Sequence, residues 1–345
     1  MRRLIQPRVI IPLLLSAALL AALLAAGNVR RIVAEALAFQ VQDLLWFALL
    51  FLTYELLRGA QWAMLLRALD QQLPRRSVAL SFVAGEITKY LPLGNFFPNY
   101  LLRATDRADF GMTSAATTAM ILLEVAISLA GVLIYGLGAW SGWLRPLVLV
   151  GCAVAALVMA VIYHYRARIT TPSWMRRHRT LRTALVELHR FSAGLRRLAR
   201  PRALALGALI CAAYVSTASA ALFYILHGLG LTSLSYAQVA GAYCFTLAFA
   251  LIEPSPIDLG VLELGGVGAL LAVGVDTTTA VTAMLINRVF SVVISVAIAA
   301  IGLAVLFRTL RRALRATKLP RQMTRATQTH WTCASRWPRR SGGWV

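Results

Sequence analysis

Apolar runs alternate with short polar stretches along most of the chain. Six of them reach the length of about 20 residues that a membrane-spanning helix needs: Val9–Ala26, Leu44–Leu66, Ala115–Ala139, Leu144–Tyr165, Ala203–Leu226 and Ala280–Phe307. Two further apolar segments are interrupted: Val83–Arg103, VAGEITKYLPLGNFFPNYLLR, and Leu251–Gly268, LIEPSPIDLGVLELGGVG. Pro, Gly and charged or amide side chains split both. A backbone broken in this way cannot face lipid, because each unsatisfied N–H or C=O costs several kcal/mol. It persists inside protein or beside a wet cavity. Broken segments at corresponding places in two halves of a chain mark a transport-type site near the membrane midplane.

Composition agrees with a membrane protein. Of the 345 residues 59% are hydrophobic and 14% charged, and mean hydropathy is +0.70. A soluble domain carries more charge. The net charge of +22 comes from 33 Arg and 2 Lys. These lie mostly outside the apolar runs, as loop arginines of a membrane protein do, so nucleic acid is not expected as a partner. Cys152, Cys211, Cys244 and Cys333 are scattered and form no C-x-x-C pair. The five histidines are dispersed too. No metal site or disulfide framework is expected. No H-E-x-x-H, G-x-S-x-G or Walker loop is present, and no cofactor is expected.

Arginine bias sets the topology. The loop Arg166–Arg202 holds eleven Arg and one acid, Glu187, and the stretch from Arg308 holds ten basic residues and no acid. Both are expected in the cytoplasm, with Arg67, Arg75 and Arg76 and with Arg2, Arg3 and Arg8 of the N-terminus. Arg30 and Arg31 then fall outside, against the bias. The first apolar run lacks a cleavage site and reads as a retained span. On this topology Val78–Phe110 enters and leaves from the cytoplasmic face, and Tyr236–Asp276 from the opposite face. The expected fold is an all-α polytopic membrane protein. It has about six transmembrane helices plus two re-entrant broken-helix elements in an inverted repeat. A membrane domain covers 1–307, with repeats at about 44–139 and 203–307, and a basic tail covers 308–345. Within the basic loop 166–202, Leu181, Leu185, Leu188, Phe191, Leu195 and Leu198 recur every three or four residues. They predict an amphipathic helix on the anionic leaflet. Beyond Lys318 no apolar period remains, and disorder is expected.

A charge at membrane depth costs about 2.5–3.5 kcal/mol or more, so each one is a candidate for function. The first broken segment offers Glu86, Lys89, Asn95, Asn99 and Arg103. The second offers Glu253, Asp258 and Glu263, and Arg288 lies in the last span. Glu86 and Lys89 are three apart and can pair. Glu55 and Arg58, also three apart, are expected to pair with each other, with Arg58 reaching toward the cytoplasmic face. Broken helices expose backbone amides that suit an anionic group, and arginines add two-pronged phosphate contacts. Gly94 and the Gly265, Gly266, Gly268 cluster read as close-packing or hinge positions.

The second segment resembles a known family. Pro254-Ser255-Pro256-Ile257-Asp258-Leu259-Gly260-Val261-Leu262-Glu263, then Gly274-Val275-Asp276, then Asn287-Arg288, is similar to the P-x-P-x-G-x-G-x-x-E … G-V … R pattern of the lysylphosphatidylglycerol synthase transmembrane, or flippase-like, family of bacterial and archaeal inner membranes. Gly85-Glu86, Leu91-Pro92-Leu93-Gly94-Asn95 and Arg103 resemble its first motif. The similarity spans about Leu44–Phe307. Ile257-Asp258 stands where the family usually has Gly-Gly, and Asn-Phe-Phe-Pro-Asn where it has a Gly-rich turn, so the substrate is expected to differ. The resemblance implies a multi-pass inner-membrane protein, with both termini cytoplasmic, that binds or moves a lipid. No aminoacyl-transfer domain follows, so lysyl transfer is not expected.

The expected partners are membrane lipids with anionic or phosphate head groups. The leading function is translocation of a phospholipid or a polyisoprenoid-phosphate-type lipid. The alternative is a non-transporting scaffold for a lipid-modifying enzyme or glycosyltransferase of the envelope. The sequence is compatible with an oligomer.

Overall fold

The computed structural model describes residues 21–22, 25, 28–90, 94–136, 179–252 and 261–318. Those residues form helices and turns with no strand. The helices are α1 (Val29–Ala38), α2 (Val41–Ala68), α3 (Arg75–Gly85), α4 (Phe97–Asp106), α5 (Phe110–Gly131), α6 (Arg179–Leu198), α7 (Pro201–Gly228), α8 (Tyr236–Ile252), α9 (Val261–Ala272) and α10 (Thr277–Lys318). Short 3₁₀ turns at Glu86–Tyr90 and Gly94–Phe96 lie between α3 and α4, and a π turn at Val132–Gly136 ends α5.

One run of features occurs twice. Helix α2 ends at Asp70, whose φ of 57° is left-handed, and α7 ends at Gly230, φ 87°. At the first end the Gln71 amide donates to the Leu66 carbonyl and the Asp70 amide to that of Arg67. At the second the Leu231 amide donates to Leu226 and the Gly230 amide to His227. Both are the paired bonds that close a helix on a left-handed residue. A helix pair follows each: α3 with α4, and α8 with α9. These pairs end near Arg107 (φ 56°) and Gly274 (φ 92°). Two residues later an aspartate caps the next helix. Asp109 accepts from the Met112 amide at 3.3 Å and Asp276 from the Thr279 amide at 3.2 Å, which satisfies donors that a helix start leaves open. These four are the only positive-φ residues among those described. Packing is reciprocal: α2 lies along α7, α3 against α10, and α8 against α5.

Length and composition fit membrane crossing at Phe110–Tyr135, Pro201–Gly228 and Thr277–Val305, with a fourth span if α1 and α2, bent by 86°, count as one. The expected count of six is not reached among the described residues. Of the expected runs, Leu144–Tyr165 lies outside them and Val9–Ala26 almost wholly so. Helix α2 is as long as α7 but carries Asp43, Glu55, Arg58 and Arg67. Its two ends sit in separate apolar clusters. Phe47 and Phe51 pack with Leu222, Leu270 and Met284. Trp62, Leu65 and Leu69 pack with Phe82, Leu102 and Met120. Glu55, Arg58 and Gln61 are buried between these clusters.

The predicted basic helix is α6, and it packs along α5. Leu198 is fully buried. Gly194 lies so near Ala115 that an added Cβ would sit 2.7 Å from its methyl carbon. Arg190 pairs with Asp109 at 3.1 Å and Arg197 with Asp70 at 3.7 Å. Helix α10 runs to Lys318, past the expected boundary at 307; the expected disorder beyond Lys318 falls outside the described residues.

Candidate functional site

The 3₁₀ turn that follows α3 sets the first half of the site. In a 3₁₀ helix side chains three apart eclipse, which puts Glu86 beside Lys89. Lys89 Nζ lies 2.6 Å from Glu86 Oε2 and 2.5 Å from Glu55 Oε1, and the Arg58 guanidinium lies 3.7 Å from Glu86 Oε1. Glu55 and Arg58 therefore do not pair with each other as expected. Each reaches across from α2 to the turn, and the four charges form one chain. Arg58 is 7% exposed and does not extend to a membrane face. It also donates to Asn95 Oδ1 at 3.4 Å. Lys89 stands 5.4 Å from the centre of the Phe51 ring, within cation–π range.

Helices α9 and α10 supply the second half. Arg288 Nε lies 3.1 Å from Glu263 Oε1; Glu263 is buried and Arg288 partly so. Between the halves is a cavity of about 160 Å³. Among the described residues, Arg58, Lys89 and Arg288 all line it, with Asn95, Asn287, Tyr54, Tyr243 and one acid, Glu124. The carboxylates that hold the cations, Glu55, Glu86 and Glu263, are not among its lining residues. The cavity thus presents cations backed by acids. Burying such ions costs several kcal/mol each unless they are paired, and these pairs offset that cost while leaving the positive side toward the space.

The other expected site residues lie elsewhere. Asn99 is fully buried, and its amide donates to Thr117 Oγ1 at 3.0 Å, as does Trp62 Nε1 at 3.1 Å. It ties α4 to α5 and does not line the cavity. Thr117→Val is expected to lower stability by about 1–3 kcal/mol, because two buried donors lose their acceptor; thermal unfolding in detergent reads this directly. Arg103 is half-exposed and lies 3.6 Å from Glu187 of α6. Glu187 also accepts from the Gly111 amide at 2.8 Å, so this arginine braces the docked helix. Glu253 and Asp258 lie outside the described residues.

The sequence pattern assigned Tyr54 and Tyr243 no role. Tyr54 and Tyr243 sit in apolar runs with no local signal. The Glu-x-x-Arg and Glu-x-x-Lys spacings each satisfied a local pairing, which hid the exchange of partners.

The family model described as the lysylphosphatidylglycerol synthase TM region matches residues 9–300. Comparison with curated proteins and with solved structures returns no match.

Proposed function

Since this chain belongs to the lysylphosphatidylglycerol synthase TM region family, we propose that it binds a lipid by an anionic, phosphate-bearing head group and carries it across the membrane. The observation that supports this reading most is the convergence of Arg58, Lys89 and Arg288 on one cavity. At an effective dielectric near 20, a phosphate charge about 4 Å from one cation gains about 4 kcal/mol. The room equals about five waters at roughly 30 Å³ each, enough for a phosphate group.

The doubled order of caps and broken helix pairs, with its reciprocal packing, supports an inverted repeat with the cavity at its centre. The arginine bias supports a cytoplasmic side for the α2–α3 turn and α6, and membership of the family supports a bacterial inner membrane. The scaffold reading has less support, because Arg190 and Arg197 of α6 pair within the chain.

The test is native mass spectrometry of the purified protein with lipid analysis, wild type beside Arg288→Ala and Arg288→Ala/Glu263→Gln. One lipid class enriched in the wild type and lost in both variants is the expected result. Equal lipids in all three would overturn the head-group site.

A further inference from the structure

A head-group cavity of about 160 Å³ leaves the tails of a lipid to be placed. On another side of α2 a groove of about 480 Å³ runs between α2 and α3, closed by Ile298 of α10. Leu52, Leu56, Ala60, Ala63, Ala79 and Phe82 line its length. Leu52 and Leu56 are exposed, so the groove opens sideways onto the surface that lipid covers. One end holds Arg67, Gln71 and Arg75, around the turn that joins the helices. Arg67 and Arg75 are exposed and in no ion pair among the described residues. The other end holds Glu55 and Glu86.

From Arg67 to Glu55 the groove follows α2 for about 18 Å at 1.5 Å per residue. That is close to half of a hydrocarbon core about 30 Å thick, or the depth of one leaflet. Its charges are ordered along that depth. A phosphate is attracted at the arginine end, where the membrane interface would lie, and repelled at the acid end. The groove and the cavity share no lining residue, yet the ion-paired chain separates them. Glu55 and Glu86 line the groove, while Arg58 and Lys89 line the cavity. A void of about 10 Å³ between them touches Arg58, Glu86, Lys89 and Phe82.

Resting on the head-group reading above, we propose that the α2–α3 groove is an entry site for an anionic phospholipid. Its phosphate sits at Arg67 and Arg75, and one acyl chain lies along the small residues of both helices. Glu55, Lys89, Glu86 and Arg58 form the partition between this first site and the cavity. The phosphate must break the partition to pass, by exchanging with Glu55 and Glu86 for Lys89 and Arg58. Ala60 of α2 and Ala79 of α3, both exposed and both lining the groove, keep it open by their small size.

The test uses the whole protein in nanodiscs doped with phosphatidic acid that carries a photoreactive diazirine in its acyl chain. Phosphatidylcholine with the same chain is the comparison. The expected result is crosslinks on α2 and α3 at groove residues, at least fivefold stronger with phosphatidic acid. Ala60→Trp and Ala79→Trp should each lower groove crosslinking at least fivefold, with crosslinks around the exposed Ile301 of α10 unchanged. Arg67→Gln/Arg75→Gln, on exposed positions outside the cores, should make the two lipids equal even if a tryptophan variant proves unstable. Equal crosslinking at the groove and at Ile301, insensitive to these variants, would overturn the entry site. Arg288-dependent lipid retention would then persist if the cavity reading alone is right. Groove crosslinking that survives without any Arg288-dependent retention supports the entry site and removes the cavity reading.

Discussion

Glu86→Ala is expected to cost about 3–5 kcal/mol of stability, the loss seen when one partner of a buried ion pair is removed. Glu86 is 4% exposed and serves two cations, Lys89 at 2.6 Å and Arg58 at 3.7 Å. Without it Lys89 keeps Glu55, while Arg58 loses its nearest ion-pair partner and keeps a long hydrogen bond to the Asn95 amide oxygen. Glu86→Gln, which retains a hydrogen-bond acceptor, should cost less than Glu86→Ala. Removing the second charge as well, in Glu86→Ala/Arg58→Met, should recover part of the loss, because no cation is then stranded. Thermal or denaturant unfolding of the four proteins checks the order. A loss below about 1 kcal/mol for Glu86→Ala would place the chain of charges in a solvated setting.

The second large effect concerns Gly94. A Cβ there would overlap the Thr88 carbonyl oxygen. The obstacle is backbone, so no side chain can swing away. The same loop is pinned by Thr88, whose hydroxyl contacts the carbonyls of Gly85 at 2.6 Å and Gly94 at 3.0 Å. Gly94→Ala must therefore open the loop and pull Asn95 from Arg58. Lipid retention is expected to fall at least tenfold while helix content by circular dichroism stays near wild type. Gly268→Ala is the matched control, since nothing lies within 4 Å of a Cβ at that position. Retention unchanged in Gly94→Ala would mean that the loop does not shape the head-group cavity.

Much of the framework was legible in the chain because lipid makes polar groups conspicuous. Glu86, Lys89, Glu263 and Arg288 stood out against apolar neighbours, and the structure brings them to one region. Gly265 and Gly266 read as packing positions, and a Cβ on either would strike Phe249 or Met284. Legibility failed where the deciding contact was distant in sequence. Lys89 and Glu55 are 34 positions apart, and no spacing rule selects that contact over the local one. Arg103 looked like a phosphate ligand because it follows the first break, yet its partner Glu187 comes from the helix inside the basic loop. The docking of α6 also left only a faint mark, a glycine at 194 inside a helical pattern, which permits close approach without naming the partner.

Helix α10 turns angle into distance. It packs against α3 beside the partition, where a Cβ on Gly302 would touch Val83, and it continues without a break to Lys318. At about 1.5 Å per residue that end lies roughly 24 Å beyond the contact. A tilt of about 10° at the contact moves the far end by about 4 Å, more than most side-chain rearrangements. A spin or fluorescent label near Lys318 would therefore act as a pointer, reporting outside the hydrocarbon layer on small shifts of α3 inside it.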